Sequence, residues 1–412
     1  MTEPLIRPFV GFIPAADVIE RVIAPPVSSI TTDRYEQLVV DNPESILHLL
    51  GSAIDTGEGG ADPSLFDGGG GSRLAAMIDA GVFEPQPPAF YLLAIDTGES
   101  THTGIVCDVN TAGMEDGRIK RHEDTRADTE ELVVEHLNIV GAHTDPVAMT
   151  YRSRPDLRAA VQAIASGRPP LREFVAADGS TQRLWAVVDS ETLELLEQLV
   201  SGIAAVYITD GHHRTAAATR LRRQRAAANP GHVGNESYNY LPAVLFAEDE
   251  LLLHGYNRAV MDIGELTPSE LVERIGRVVD VEEISVAWAE EARPRIQGVV
   301  SMLLDGRWYR LRFRDQDEPT DARGALDAVR LQNLILGPIL GIADARADSR
   351  LHYIPGTAGL AELEYSGAAV AFALHAASVT DVMAVADEGS VMPPKSTWFE
   401  PKIMTGLVVK KV

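Results

Sequence analysis

The chain has 412 residues and a formal net charge of -24 at pH 7. Because phosphate backbones and anionic lipids attract basic surfaces, this charge argues against a nucleic-acid partner and against binding to a membrane. A single cysteine, Cys107, excludes an internal disulfide framework. With no secretory signal evident at the start and no apolar stretch long enough to cross a bilayer, the sequence predicts a cytoplasmic protein.

A chain of this length buries a large core and typically divides into more than one lobe. We predict four parts: an N-terminal α/β lobe (1–150), a core (151–264), a small α+β insert (265–320) and a C-terminal segment that packs back on the core (321–412).

The N-terminal part begins with strand-like residues 5–13 and a short helix that Pro25-Pro26 stops, followed by a helical stretch ending near Leu50. Residues 55–72 are acidic and rich in glycine, and four consecutive glycines stand directly before a helical segment. A glycine run before a helix can hold phosphate. No Lys or Thr stands where a P-loop needs one, however, so we predict a flexible loop. Two strands are then predicted at residues 88–96 and 102–110.

A cluster of charged and polar side chains precedes a helix predicted over residues 128–140; it consists of Lys120, Arg121, His122, Glu123, Asp124 and Thr125. In a functional interpretation, Lys120 and Arg121 stabilise charge and Glu123 is a base or a metal ligand. In the alternative interpretation the segment is a solvated charged turn, and Asp128 or Thr129 caps the helix. The residues alone leave both interpretations open.

The most informative segment lies at residues 206–220, where a short β-branched and aromatic run breaks at Asp210-Gly211 and a helix follows at once. A strand, tight turn and helix start direct backbone N–H groups and the positive end of the helix dipole at one point. Gly211 allows close approach of a ligand, and His212, His213 and Arg214 add side-chain donors. This pattern predicts a phosphate-binding turn. The alternative is that Asp210 only caps the helix and the histidines form a polar surface.

Residues 241–260 predict two strands, and residues 265–315 predict a helix, a strand, a second helix at 290–300 and two further strands. A helix from Asp327 to Leu340 and a last helical stretch follow. Near the C terminus, a rigid Pro-Pro precedes one cation and two hydroxyl groups that suit an anion or a carboxylate: Lys395, Ser396 and Thr397. The alternative is a structural turn, and Arg258 is equally ambiguous.

Five motifs occur in order along the chain: Arg7-Pro8-Phe9, residues 120–125, Arg183-Leu184-Trp185, residues 210–214, and residues 392–402. On these motifs the chain is identified as a member of the domain-of-unknown-function family 1015. The turn at residues 210–214 also resembles the phosphate-binding loop of the ParB/sulfiredoxin-like fold, which free-serine kinases share. The resemblance implies an α+β (mixed α/β) fold with a ParB/sulfiredoxin-like phosphate-binding core and additional α+β lobes.

The same resemblance implies a phosphotransferase that uses Mg²⁺ and either ATP or ADP, with free L-serine as the first acceptor to consider. It implies three sets of site residues. The catalytic set is Glu123, Asp210 and His213, with Asp210 also the metal ligand. Nucleotide phosphates are held by Gly211, His212, His213, Arg214 and Thr215. The substrate is bound by Lys120, Arg121, His122, Arg258, Lys395, Ser396 and Thr397.

The sequence leaves the catalytic base, the activity and the oligomeric state open. The catalytic base is either Glu20 or Glu123, and the family's Pro-Pro-Tyr-Asp motif is replaced by Pro25-Pro26-Val27-Ser28. We expect a kinase with a nucleotide and a small-molecule substrate as its partners. The alternatives are a nucleotide-binding regulatory switch with little catalysis, and a metal-dependent phosphoesterase that uses His212, His213 and Asp210. The oligomeric state, including a homodimer, stays open.

Overall fold

The structure is a computed structural model that describes residues 3–50, 69–314 and 319–412. The strands, in chain order, are β1 (Ile6–Arg7), β2 (Phe12–Pro14), β3 (Phe83–Pro85), β4 (Phe90–Asp96), β5 (Thr101–Asn110), β6 (Ile119–Lys120), β7 (Ala142–His143), β8 (Val147–Tyr151), β9 (Arg172–Val175), β10 (Thr181–Val187), β11 (Val206–Asp210), β12 (Tyr240–Ala247), β13 (Leu252–His254), β14 (Tyr256–Val260), β15 (Asp280–Ile284), β16 (Val299–Leu304), β17 (Arg307–Arg312), β18 (Leu351–Pro355), β19 (Val370–Leu374), β20 (Trp398–Glu400) and β21 (Lys410–Lys411).

The α-helices are α1 (Ile19–Val22), α2 (Thr32–Asp41), α3 (Leu47–Leu50), α4 (Gly70–Asp79), α5 (Gly113–Asp116), α6 (Ala127–Val140), α7 (Pro155–Gly167), α8 (Ser190–Ser201), α9 (His212–Ala228), α10 (Pro268–Gly276), α11 (Asp327–Leu331), α12 (Ala361–Tyr365) and α13 (Val379–Asp387). Together with the sheets, they confirm the predicted mixed α/β fold class. Of the helices that the structure describes, none is long and apolar enough to cross a membrane.

The chain forms two compact units, which are unit 1 (Met1–Leu251 with Pro401–Val412) and unit 2 (Leu252–Glu400). The four-part division expected from sequence stays a prediction. Within unit 2, strands β15 to β17 of the expected insert share a sheet with β14, β18 and β19, which lie outside residues 265–320.

Unit 1 is built on a nine-stranded sheet with the order β6-β11-β8-β12-β5-β4-β10-β9, and β1 pairs with β5. The β6–β11 and β8–β12 pairs are parallel, and the other pairs are antiparallel. Apolar side chains of β4, β5, β8 and β12 pack against α7 and α8 to form the core. Because β6 and β11 run parallel, their carboxyl ends lie at the same edge of the sheet.

One expectation for unit 1 is wrong, and another falls largely outside the described residues. The strand predicted over residues 5–13 is divided into β1 and β2, because Pro8 has no N–H to donate and Gly11 turns its N–H to the Tyr91 hydroxyl at 3.0 Å. A Cβ on Gly11 would lie 2.7 Å from that hydroxyl oxygen, so only glycine fits. Most of the glycine-rich segment, residues 51–68, lies outside the described residues.

Unit 2 contains a six-stranded antiparallel sheet with the order β15-β17-β16-β19-β14-β18. The helix predicted over residues 290–300 is wrong. A single 3-10 turn (Ala289–Ala292) is followed by β16, because Pro294 and the left-handed Gly298 (φ 84°) interrupt a helix. The helix predicted from Asp327 is α only as far as Leu331 and continues as a π-helical turn, Gln332–Leu336.

Candidate functional site

The histidine turn, residues 210–215, joins β11 to α9 as predicted. Gly211 has a φ of 94°, and a Cβ at this position would lie 2.7 Å from the Val147 Cγ1. The Thr215 N–H and hydroxyl both donate to the Gly211 carbonyl, at 2.9 and 3.0 Å, so the helix begins at His212. The first backbone N–H groups of α9 therefore open toward the turn, as in anion-binding helix termini.

The parallel pairing of β6 with β11 brings the charged cluster of residues 120–125 beside this turn, with Tyr207 opposite Lys120. One carboxylate lies between two imidazoles: Glu123 Oε1 is 3.8 Å from His122 Nε2, and Glu123 Oε2 is 3.7 Å from His212 Nδ1. The rings of His122 and His212 pack edge to face, with centroids 4.5 Å apart. Two motifs that are distant in sequence thus form one group.

Both of these histidines are buried, and their burial decides their charge. Burial lowers the pKa of His122 to about 3, and the neighbouring His212 adds to the effect. Burial also lowers the pKa of His212 to about 3, against the opposing attraction of Asp210. At neutral pH both rings are uncharged, so each offers one donor and one acceptor rather than a positive charge.

One ring nitrogen of the turn is left without a partner. His212 Nε2 is buried, and none of the described residues forms a hydrogen bond with it. A buried polar atom without a partner costs free energy, so this nitrogen is a contact point for a bound group. The His213 Nε2, in contrast, accepts a hydrogen bond from the Arg126 N–H at 3.1 Å, just before α6 begins.

Arg214 lies in a compact network of charges. Its Nη1 donates to the carbonyl oxygens of Asp145 and Pro146 at 3.0 and 2.8 Å and is 2.8 Å from the Asp145 carboxylate. Its Nη2 is 3.2 Å from Asp210 Oδ2, and the Lys402 Nζ is 3.9 Å from Asp210 Oδ1. The guanidinium group that was expected to hold phosphate is therefore paired with protein carboxylates.

The pKa values of the two carboxylates in this network are shifted in opposite directions. Burial raises the pKa of Asp145 to about 6, despite the nearby Arg214. Burial also disfavours the charged form of Asp210, but Lys402 and Arg214 together hold the pKa of Asp210 below its usual value. Asp210 is thus ionised and already neutralised by cations.

This donor set does not fit a dedicated Mg²⁺ site. Magnesium takes carboxylate oxygens and water in an octahedron, whereas both oxygens of Asp210 face an arginine or a lysine. Across residues 3–50, 69–314 and 319–412, no group of three or more His, Cys, Asp or Glu side chains is arranged to hold a metal ion.

The remaining predicted residues of unit 1 are arranged as follows. The Lys120 Nζ lies 5.7 Å from the centre of the Tyr207 ring, and Arg121 Nη2 is 3.7 Å from Asp124 Oδ1 on the surface. Arg152 approaches the same Tyr207 ring at 5.9 Å. Glu20, the other candidate base, accepts a hydrogen bond from the Val175 N–H on β9, the last strand at the other end of the sheet order.

The predicted residues of unit 2 are Arg258, Lys395, Ser396 and Thr397. Arg258 on β14 is buried, and its Nη1 donates to the Tyr256 carbonyl. Lys395 adopts a left-handed backbone (φ 51°) and places its Nζ 5.9 Å from the centre of the Tyr256 ring. Ser396 is buried, and Thr397 directly precedes β20.

Sequence reasoning did not assign Asp145, Arg152 or Lys402 to the site. Lys402 could have been predicted from the sequence, since it is the last residue of the motif at residues 392–402. Asp145 and Arg152 carried no such signal, because they flank β8 and come beside β11 only through the pairing of these strands, Asp145 near the turn and Arg152 near Tyr207.

The fold and the site define a mixed α/β protein in which a turn with two histidines stands at the N-terminus of a helix. The chain belongs to the family described as "Protein of unknown function (DUF1015)", whose model matches residues 6–331. No curated protein matches the chain.

Several solved structures are similar to this chain at low identity. Free serine kinase in complex with AMP is 14% identical, with 73% of this chain and 92% of that chain covered and a TM-score of 0.35. SbnI with a C-terminal truncation, from Staphylococcus aureus, is 11% identical, with 73% and 85% covered and a TM-score of 0.36. A conserved hypothetical protein from Pyrococcus furiosus is 14% identical, with 74% and 95% covered and a TM-score of 0.35. At these TM-scores the likeness carries no argument about the site.

Proposed function

We propose that this protein is a small-molecule kinase that transfers a phosphate group from a nucleotide, ATP or ADP, to a hydroxyl group of a metabolite. L-serine is the first acceptor to test. The observation that carries the proposal is the histidine turn with Glu123 beside it. A helix start behind a left-handed glycine provides the phosphate contact, and a carboxylate 3.7 Å from the ring of His212 provides the base.

The turn binds phosphate through neutral hydrogen-bonding groups. The backbone N–H groups at the start of α9 donate to phosphate oxygens, and the positive end of the helix dipole favours their charge. With its proton on Nε2, His212 donates to the same oxygens, which satisfies its buried nitrogen. Lys120 and Arg152, which both lie within 6 Å of the centre of the Tyr207 ring, supply positive charge.

Glu123 acts as the base in this proposal. The acceptor hydroxyl oxygen attacks the terminal phosphorus, its proton passes to the Glu123 carboxylate, and the bond from that phosphorus to the bridging oxygen breaks. Phosphoryl transfer depends mainly on positioning and on stabilising charge, so these groups account for the chemistry. His122 is a positioning residue for this base, since its Nε2 lies 3.8 Å from Glu123 Oε1.

The second candidate is a nucleotide-binding switch with little catalysis. It is favoured by the pairing of Arg214 with Asp145 and Asp210, which removes one cation from the developing charge of the transferred phosphate. Binding of nucleotide without acceptor-dependent turnover distinguishes the switch from the kinase.

The test is an assay of the purified protein with ATP or ADP, Mg²⁺ and a panel of hydroxyl metabolites that includes L-serine, read by mass spectrometry. We expect a phosphorylated product with the wild type. Glu123→Gln should lower the turnover number by about 100-fold or more, because a general base contributes that much. Its nucleotide affinity should change by less than about threefold, which is under 0.7 kcal/mol.

The matched control is Glu131→Gln, which removes an exposed glutamate on α6 that pairs with Arg220. This variant should turn over like the wild type. Nucleotide binding with no product from any acceptor would exclude the kinase and favour the switch. Equal turnover of Glu123→Gln and the wild type would exclude Glu123 as the base.

A further inference from the structure

A cavity of about 280 Å³ lies within unit 2, and its lining contains charged groups that the proposed function does not use. It is bounded by β14, by the start of α11 and by the segment that leads into α13. Sites for drug-sized ligands occupy about 300–1,000 Å³, so the occupant of this cavity is a smaller molecule.

Arg258 supplies a buried positive charge at this cavity. Arg258 is 4% exposed, and among the described residues the groups that act on its guanidinium are the Tyr353 ring, 5.0 Å away, and Tyr256 rather than a carboxylate. The guanidinium carries five N–H donors, of which Nη1 serves the Tyr256 carbonyl. A planar fork of this kind matches the two oxygens of a carboxylate.

Asp327 supplies a buried negative charge in the same lining. Its Oδ1 accepts a hydrogen bond from the Gly298 N–H at 2.8 Å, whereas its Oδ2 is buried with no hydrogen-bond partner among the described residues. Burial raises the pKa of Asp327 to about 6; the Gly298 N–H and the charge of Arg330 oppose the rise, and the nearby Asp381 adds to it. The Asp381 carboxylate is already hydrogen-bonded, since its Oδ2 accepts from the Ser378 N–H and hydroxyl at the start of α13.

Ser396 is a third polar residue in the lining of the cavity. The Ser396 hydroxyl is buried, and within the described part of the chain it has no hydrogen-bond partner. An arginine, a carboxylate oxygen and a hydroxyl group are thus all buried around one small space. Leaving such groups unsatisfied costs free energy, which a ligand of matching chemistry regains.

We propose that this cavity binds a small zwitterion of the α-amino acid class, with its carboxylate on Arg258, its ammonium group on Asp327 and a further hydrogen bond to Ser396. Two opposite charges that lie in one lining without pairing with each other match a ligand that carries both complementary charges. The proposal rests on the proposed function in one respect, since Arg258 and Ser396 are among the residues predicted to bind its acceptor, but binding to the cavity needs neither a nucleotide nor turnover.

The test measures binding of amino acids to the full-length protein without nucleotide. A mixture of the twenty amino acids is screened by ligand-observed NMR, and each hit is titrated by calorimetry at pH 8. L-lactate and ethanolamine, which each carry one of the two charges, are titrated in parallel. We expect at least one amino acid to bind with one-to-one stoichiometry and at least tenfold more tightly than either.

Variants assign the binding to the cavity. Asp327→Asn and Ser396→Ala should each weaken the amino acid by at least fivefold. Asp262→Asn, which alters an exposed carboxylate of unit 2, should bind like the wild type, and circular dichroism shows that each variant is folded. The proposal is overturned if no amino acid binds, if lactate or ethanolamine binds equally well, or if both cavity variants bind like the wild type. Nucleotide binding is unaffected by any of these outcomes, so the kinase proposal is judged separately.

Discussion

Two charged clusters, one in each unit, differ in how their charges are satisfied. In unit 1, Asp145 and Asp210 face Arg214 and Lys402, so positive and negative groups are matched within the protein. In unit 2, Arg258 and Asp327 line one cavity, yet no described residue forms an ion pair with either. Matched buried charges fix the local structure. Buried charges without a partner have lost their hydration, and a ligand of opposite charge offsets that free-energy cost.

The same contrast exists inside the histidine turn. Arg214 and Thr215 use their side chains to hold the turn, whereas His212 keeps a buried nitrogen without a partner in the described structure. A motif that looks uniform in sequence therefore separates into residues that build the turn and one that is available to a ligand.

The largest expected effect is the loss of nucleotide binding in Gly211→Ala. The left-handed backbone costs a side chain about 1–2 kcal/mol, and the added Cβ would lie 2.7 Å from Val147. We expect the nucleotide dissociation constant to rise about 100-fold, which corresponds to about 3 kcal/mol. The control is Gly117→Ala, a left-handed position with open space around it. If both variants bind nucleotide like the wild type, the turn is not the phosphate site.

Arg214→Ala tests whether the matched cluster stabilises the fold. It leaves Asp145 and Asp210 without their shared partner, and we expect the free energy of unfolding to fall by about 3 kcal/mol. Arg223→Ala removes an exposed arginine paired with Glu115 and should cost less than about 1 kcal/mol. Urea unfolding of the three proteins measures the difference. Equal losses in the two variants would contradict a structural role for the cluster.

Asp327→Asn should have the opposite sign, because it removes an unmatched charge. The folded pKa of about 6 lies above the unfolded value, so the stability contributed by the neutral acid is present below about pH 4 and is lost as the pH rises through 6. We expect the variant to be about 3 kcal/mol more stable than the wild type at pH 8, because the pKa shift is roughly two units of 1.36 kcal/mol each, and no more stable at pH 4. Asp210→Asn, measured alongside, should be less stable than the wild type at pH 8.

The smallest effect concerns the two neutral histidines. The pKa of His212 is lowered to about 3 in the folded state, so the stability it contributes is present above its unfolded value of about 6.5 and is lost as the pH falls from there toward 3. Between pH 7 and pH 5.5, His212→Gln should lose about 1 kcal/mol less than the wild type. Denaturant unfolding at the two pH values checks this. An identical loss in both proteins would mean that His212 is protonated in the fold.

Local sequence signals predicted the structure correctly wherever the backbone conformation depends on one short segment. The strand that ends at Asp210, the left-handed Gly211 and the helix that begins at His212 all follow from residue type and order. Local sequence signals gave a wrong prediction where a distant contact or a helix-breaking residue intervened. Examples are Gly11 beside Tyr91 and Pro294 in the predicted helix.

The sequence by itself determined the family, through its motifs, and the fold class and the position of the histidine turn, because glycine permits a left-handed backbone and proline fixes φ in any context. Only the tertiary structure decided which charges are matched. Parallel pairing of β6 with β11 placed Glu123 between two imidazoles, and the pairing of β8 with β11 brought Asp145 to Arg214. Ion pairs and burial depend on residues far apart in the chain, so their energies arise only when the strands are in place.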